Sequence, residues 1–177
     1  MIGNAIAGLY GVGVAPSLAA YESIATVTVG GGGTSSISFT SIPSTFTHLQ
    51  LRMMAITNTT AQSATTTFNG SNGGIHWLTG NGSTVSAAND TTKIFFPLTQ
   101  GSTTAPCVGV MDILDYANTN KYKTTRQLEG YDTNGSGNVS ITSGLWMNTS
   151  AITSISIAAV GTFNQYSSFA LYGIKGA

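Results

Sequence analysis

"THLQLRMMAI", residues 47–56, decides the fold class. Leu49, Leu51, Met53 and Ala55 alternate with His48, Gln50, Arg52 and Met54. Successive side chains of an extended strand point to opposite faces, so this spacing gathers an apolar face and a mixed one, which no helical period would do. The same period of two recurs along the chain. It marks strands at "YESIATVTV" (21–29), "SSISFTSI" (35–42), "TTKIFFPL" (91–98), "CVGVMDILD" (107–115) and "YKTTRQLEGYD" (122–132). It continues through "NVSITSGLWM" (138–147), "ITSISIAAV" (152–160) and "SSFALYGI" (167–174). These runs are rich in β-branched and aromatic residues, which suit a pleated, half-buried surface.

Turn signals separate the runs. Asn-Gly stands at 69–70, 72–73, 81–82 and 134–135, and "NTNK" at 118–121; Asn and Gly both tolerate positive φ, as tight turns require. Short strands with turns between them and no helical crossovers predict an all-β, antiparallel β-sandwich or jelly roll of about eight or nine strands. The stretch 57–90 has the weakest pattern. It reads as a long connection or distal loop with short strands near Thr65–Phe68 and Ile75–Leu78.

Of the 177 residues, 41% are hydrophobic but only 7% are charged, and six basic and six acidic side chains cancel. An ordinary domain carries about 25% charged residues, and a free monomer keeps its net charge away from zero to stay soluble. The composition therefore predicts a surface covered largely by other subunits. Nucleic acid is disfavoured as a partner, because the six cations are scattered apart from "KYKTTR" (121–126), and phosphate binding needs them clustered. That short run reads as a solvated hairpin edge that blocks strand-on-strand aggregation.

Residues 1–20, "MIGNAIAGLYGVGVAPSLAA", carry no charge. The stretch lacks the basic start of a secretory signal, although "LAA" resembles a cleavage site, and its run from Ile2 to Ala15 is too short and glycine-rich for a membrane span. The expectation is an extended apolar arm (1–20), anchored on a partner through Ile2, Ile6, Leu9, Tyr10, Val12 and Val14, before a single sandwich domain (21–177).

Candidate chemistry weighs against an enzyme. "VTVGGGGTSSISF" (27–39) lacks the lysine and the following helix of a phosphate loop, and reads as a hairpin connection. "DTNGSGN" (132–138) imitates the start of a calcium loop but has Ser143 where the bidentate Glu belongs, so a hairpin turn is expected. His48 and His76 are the only histidines, and no nucleophile elbow accompanies them. Asp112 and Asp115 fall on opposite faces of one strand, unlike a glycosidase pair; Asp115 is expected to bond turn amides, and Asp112, if buried, to need a partner, with Arg52 and Arg126 the candidates. Cys107, the single cysteine, lies in an apolar run and reads as a buried, inert thiol. Trp146 reads as core or subunit contact. The N-x-S/T matches, such as Asn58 and Asn148, follow from an Asn-, Ser- and Thr-rich chain. The remaining candidate is a distal-loop binding patch in which Trp77 stacks on a sugar ring beside Asn69, Asn72, His76 and Asn81; the alternative, the favoured one, is Trp77 as the plug of its own loop. No cofactor and no metal is expected.

From residue 21 onward the chain resembles a family of small β-rich structural proteins of tailed bacteriophages, notably marine and freshwater ones. The resemblance is carried by "YESIATVTVGGGGTSSISFTSIPSTFTHLQLR" (21–52), "DILDYANTNKYKTTR" (112–126), "NGSGNVSITSGLWMNTSAITSI" (134–155) and "FNQYSSFALYGIKGA" (163–177). It implies a virion component without enzymatic activity, assembled in the host cytoplasm. The leading expectation is a capsid decoration (cement) protein, a homo-oligomer and in first place a homotrimer, bound to the major capsid protein. The alternative is a tail-fibre or baseplate adhesin head that binds host glycan. Neither nucleic acid nor membrane is an expected partner.

Overall fold

The structure is a computed structural model that describes residues 20–59, 62–99 and 105–176. The described residues form β1 (Tyr21–Thr28), β2 (Thr34–Phe39), β3 (His48–Ala55), β4 (Gln62–Phe68), β5 (Gly74–Gly80) and β6 (Val85–Asp90). They continue with β7 (Ile94–Thr99), β8 (Cys107–Leu114), β9 (Lys123–Asp132), β10 (Gly137–Trp146), β11 (Ile155–Phe163) and β12 (Ser168–Ile174). One sheet has eight strands in the order β1-β12-β3-β8-β9-β10-β5-β6; the other has four, β2-β11-β4-β7. Every pairing is antiparallel. The chain is an all-β sandwich. The expected anchoring residues Ile2, Ile6, Leu9, Tyr10, Val12 and Val14 lie outside the described residues.

The alternation of β3 is met in full: Leu49, Leu51, Met53 and Ala55 are buried between the sheets. Leu51 sits opposite Leu171 of β12 and Met111 of β8, both buried as well. Ile37 and Phe39 of β2, Ile155 and Ile157 of β11, and Ile94 and Phe96 of β7 supply the facing layer. Aromatic edges lock the core at two places. Phe68 meets Trp146 with ring centroids 5.9 Å apart, and Phe163 meets Phe169 at 4.8 Å. Such edge-to-face contacts add about 0.5–1.5 kcal/mol beyond burial alone. The indole N–H of Trp146 donates to Ser71 Oγ at 2.8 Å, so this largest buried side chain leaves no donor unpaired.

Three expectations change. The glycine run does not close a hairpin: β1 pairs with β12 and β2 with β11, so Gly30–Gly33 carries the chain from one sheet to the other. Gly33 has φ 71°, and a Cβ there would lie 2.7 Å from the Phe163 carbonyl oxygen. Residues 57–90 are not a loosely patterned loop but contain β4, β5 and β6, which brings the count to twelve strands among the described residues instead of eight or nine. Nor is "KYKTTR" a solvated edge. β9 lies inside the larger sheet, and Lys123 is buried there, its ammonium donating to the Lys121 and Thr149 carbonyls. Two backbone acceptors compensate its desolvation, which is what holds an ammonium in that position.

The expected turn at 132–138 is present: Asn134 (φ 56°) and Gly135 (φ 131°) join β9 to β10, and the Asn134 amide donates to Asp132 Oδ1.

Candidate interaction surface

Strands β9 and β10 invert the usual arrangement of a sheet that faces a core on one side and water on the other. A half-buried strand turns its apolar residues inward. On β9 the inward residues are Lys123, Thr125, Gln127 and Glu129, all buried. On β10 they are Ser140, Thr142, Gly144 and Trp146, of which only Trp146 is large and apolar. The outward residues include Leu128 on β9 and Val139, Ile141 and Leu145 on β10, all apolar and exposed, beside Arg126 and Ser143. Ile141 keeps 60% of its accessible surface.

The exposed apolar residues are cross-strand neighbours. Ile141 pairs with Leu128 on one side and Leu78 of β5 on the other. Leu128 in turn faces Val110 of β8, and Leu78 faces Ala87 of β6. One step along the strands, Val139 is flanked by Gly130 and Gly80, beyond which lie Val108 and Val85. Together they make a continuous apolar band across five strands. At about 4.8 Å between strands it is roughly 20–25 Å wide. A contiguous exposed apolar patch of this kind is a candidate interaction surface.

The next row is polar: Asn89, His76, Ser143, Arg126 and Asp112 follow one another from β6 to β8. Asp112 finds its partner in Gln50, whose amide Nε2 donates to Asp112 Oδ1 at 2.8 Å; Gln50 Oε1 accepts from Arg52 Nε at 2.8 Å. Arg52 therefore does reach Asp112, through an intermediary, and its guanidinium lies over the Tyr172 ring at 4.9 Å. Arg126 Nη1 donates to Ser143 Oγ at 2.9 Å. Gly74, which pairs with outward-facing Leu145, has no side chain to fill the end of this row. The result is an open trough of about 300 Å³ lined by His76, Asp90, Arg126, Ser143, Leu145 and Met147 among others.

Behind the band, the inward polar groups of β9 and β10 face the smaller sheet. The Glu129 carboxylate accepts from Thr142 Oγ1 at 3.1 Å, while its Oε2 has no partner among the described residues. Thr66 Oγ1, Thr125 Oγ1, Gln127 Oε1 and Ser140 Oγ are buried and unpaired in the same sense. Burial pushes the Glu129 carboxyl up to about 7, against a smaller opposing pull from Thr142. Burial also pushes the Cys107 thiol up to about 12, with the Glu129 charge adding to it, so the only cysteine is an inert core group at neutral pH.

The residues of the expected distal-loop patch do not converge. Asn69 (φ 49°) follows β4 and staples the loop before β11, donating to the Ala151 carbonyl and accepting from the Thr153 and Ser154 amides. Asn72 precedes β5, and Asn81 follows it, where its Oδ1 accepts from the Ser83 and Thr84 amides. Eight residues, seven of them the extended β5, lie between those two asparagines and hold them more than about 20 Å apart. His76 and Trp77 are adjacent in β5 and so face opposite sides: His76 joins the outer polar row, while half-buried Trp77 packs inward, edge-on to Phe95 at 5.4 Å. Trp77 offers no sugar platform in this position. His48 is structural, its Nδ1 accepting from the Asp115 amide at 2.9 Å. Asp115 pairs with Lys121, whose hydrogen bond holds the Asp115 carboxyl below its ordinary range.

No protein-family model, no curated protein and no solved structure matches the chain.

Proposed function

We propose that this chain is a non-enzymatic structural protein of a tailed-phage particle, a capsid decoration protein that binds the assembled shell and stabilises it by mass action. Anything that binds the assembled state and not its free parts shifts the balance toward assembly. The observation that carries the reading is the inverted pleat of β9 and β10, which turns Leu128, Val139 and Ile141 to the outside while Gln127, Glu129 and Ser140 face in. A sheet built for one core and one wet face has no use for that arrangement; a sheet covered on both sides does. The near absence of charge, 7% of residues with none in excess, supports the same conclusion. So does the resemblance of residues 21–52, 112–126, 134–155 and 163–177 to phage structural proteins.

The test is the copy number of the chain in purified particles, read by quantitative gel or mass spectrometry. A decoration protein is present on the order of hundreds of copies, as the many equivalent sites of a shell require. Absence from the particle overturns the reading.

A second reading rests on the trough lined by His76, Asp90, Arg126 and Ser143. Polar groups that converge between apolar walls suit a sugar, which would make the chain an adhesin head on the tail fibre or baseplate. A glycan array with the wild type and Arg126→Ala tests it: binding lost in the variant supports the adhesin, and silence from the wild type removes it. Copy number separates the two, since a tail protein is present in a few tens of copies or fewer.

A further inference from the structure

We infer that the outer face of the eight-stranded sheet is a self-complementary surface that pairs two copies of this chain about a two-fold axis running along β10. The inference rests on the reading of that face as an assembly surface, but not on which particle it serves.

The argument is the order of residues across the strands. From β6 to β8, one row reads Val85, Gly80, Val139, Gly130, Val108. It is the same in both directions, with Val139 of β10 at its centre. The neighbouring row reads Ala87, Leu78, Ile141, Leu128, Val110, again centred on β10 with a leucine on each side. A two-fold axis in the plane of a face and parallel to the strands keeps each row at its own height and reverses the strand order. A palindromic row therefore meets itself, which is what an isologous interface demands. Ile141 then lies next to its own copy, Leu128 lies over the partner's Leu78, and Val108 over the partner's Val85.

The polar row obeys the same operation. Asn89, His76, Ser143, Arg126 and Asp112 place Ser143 on the axis. Asp112 comes to face the partner's Asn89, whose amide can donate to the carboxylate. Arg126 faces the partner's His76, whose ring offers a nitrogen to the guanidinium. Asp112 does not meet a carboxylate and Arg126 does not meet a guanidinium or ammonium, so the formal charges of the face are kept apart when it meets itself.

The area is also adequate. Beyond the polar row a fourth runs through Gly74, Leu145, Thr124 and Leu114. Five strands at about 4.8 Å and four rows at about 6.8 Å give a projected patch of roughly 650 Å². Side-chain relief raises the accessible area toward the ~800 Å² that a standard interface takes from each partner. Stacked sheets of this size pack about 10 Å apart with nearly aligned strands, the geometry of an ordinary sandwich. The pairing unit inferred from this face is two copies, where the sequence reading favours three.

Sedimentation equilibrium of the full chain, from low micromolar to submillimolar concentration, gives the first readout: the wild type should reach twice the chain mass. Ile141→Asp should remain at the single-chain mass throughout. Val160→Asp, at an exposed site on β11 of the other sheet, should behave as wild type, with circular dichroism reporting the fold of each. The second readout needs no loss of fold. Cys107 is buried, so Ile141→Cys introduces the only accessible thiol among the described residues, and a short bismaleimide, long enough to bridge thiols across sheets about 10 Å apart, should yield a covalent dimer, while Val160→Cys should not. A wild type that stays at the single-chain mass overturns the pair, as does a trimer or a folded Ile141→Cys that does not cross-link to itself. A chain that is monomeric in solution yet abundant in the particle overturns the pair alone and leaves the assembly reading in place; absence from the particle overturns the assembly reading alone.

Discussion

β3 and β10 belong to the same sheet, separated only by β8 and β9, yet they offer the core opposite chemistries. β3 turns Leu49, Leu51, Met53 and Ala55 inward and His48, Gln50 and Arg52 outward. β10 turns Ser140, Thr142 and Gly144 inward and Val139, Ile141 and Leu145 outward. Both strands alternate with the same period. A side-chain period of two says which residues share a face, and a shift of one residue sends the whole set to the other side. What assigns β10 its sides is tertiary: Trp146 fills the space beside Phe68, and Gly144 admits Thr125, whose Oγ1 stands 2.2 Å from where a Cβ on that glycine would lie. One end of the sheet thus holds an ordinary core, and the other is held by a few large anchors with its apolar residues left for a second layer.

The largest expected effect tests the ordinary end. Leu51→Ala removes a fully buried side chain between Leu171 and Met111, and should cost about 3–4 kcal/mol in urea unfolding. A cost below about 1 kcal/mol would mean that the β3 face is loosely packed and that the two ends of the sheet differ less than their residues do.

Glu129 sharpens the comparison from the inverted end. Its carboxyl is pushed from 4.5 to about 7 by burial. Across that window the unfolded chain gives up its proton as pH rises while the folded chain keeps it. Stability therefore falls between about pH 4.5 and 7 and levels off above, where the folded protein carries an ionised, half-satisfied carboxylate. A rise of that size amounts to about 3 kcal/mol. Glu129→Gln should abolish this decline and raise Tm at pH 8 by roughly 5–10 °C, as expected for a chain of this length. Thermal melts from pH 4 to 8 check it; parallel profiles for wild type and variant would show that Glu129 is not the group responsible.

Much of the architecture is legible in the sequence because strand faces and turn chemistry are local properties. The runs that become β1, β3, β8, β9, β10 and β12 are marked by alternation alone, and Asn134–Gly135 by its tolerance of positive φ. β6 is not: "VSAAND" is exposed along nearly its whole length, so no alternation of burial shapes its residues. The glycine run is legible as a bend, but whether a bend joins neighbours in one sheet or crosses between two depends on which strands pair. Lys123 is misleading in the sequence because charge signals water, and only the Lys121 and Thr149 carbonyls in place around it explain its burial. The interaction surface was hidden for a related reason. Leu78, Leu128, Ile141 and Val110 come from four strands, and nothing local places them in one row. The residues of the sugar patch do not converge for the same reason in reverse, since Trp77 and His76 are neighbours in sequence and therefore opposed in space.

The smallest expected effect on stability is the most decisive for the contrast. Ile141→Ser shortens a side chain that already keeps 60% of its surface in water, so an unpaired protomer should lose less than about 0.5 kcal/mol. Urea unfolding at a concentration low enough to keep copies apart isolates that quantity. The same substitution at Leu51 would empty a buried site and cost several-fold more. Two aliphatic residues, each at the middle of an alternating strand in one sheet, would then differ because one is covered by the chain's own second sheet and the other is not. A loss of about 2 kcal/mol or more from the isolated Ile141→Ser protomer would place Ile141 in an intramolecular core, and the outer band could not then be a surface kept for a partner.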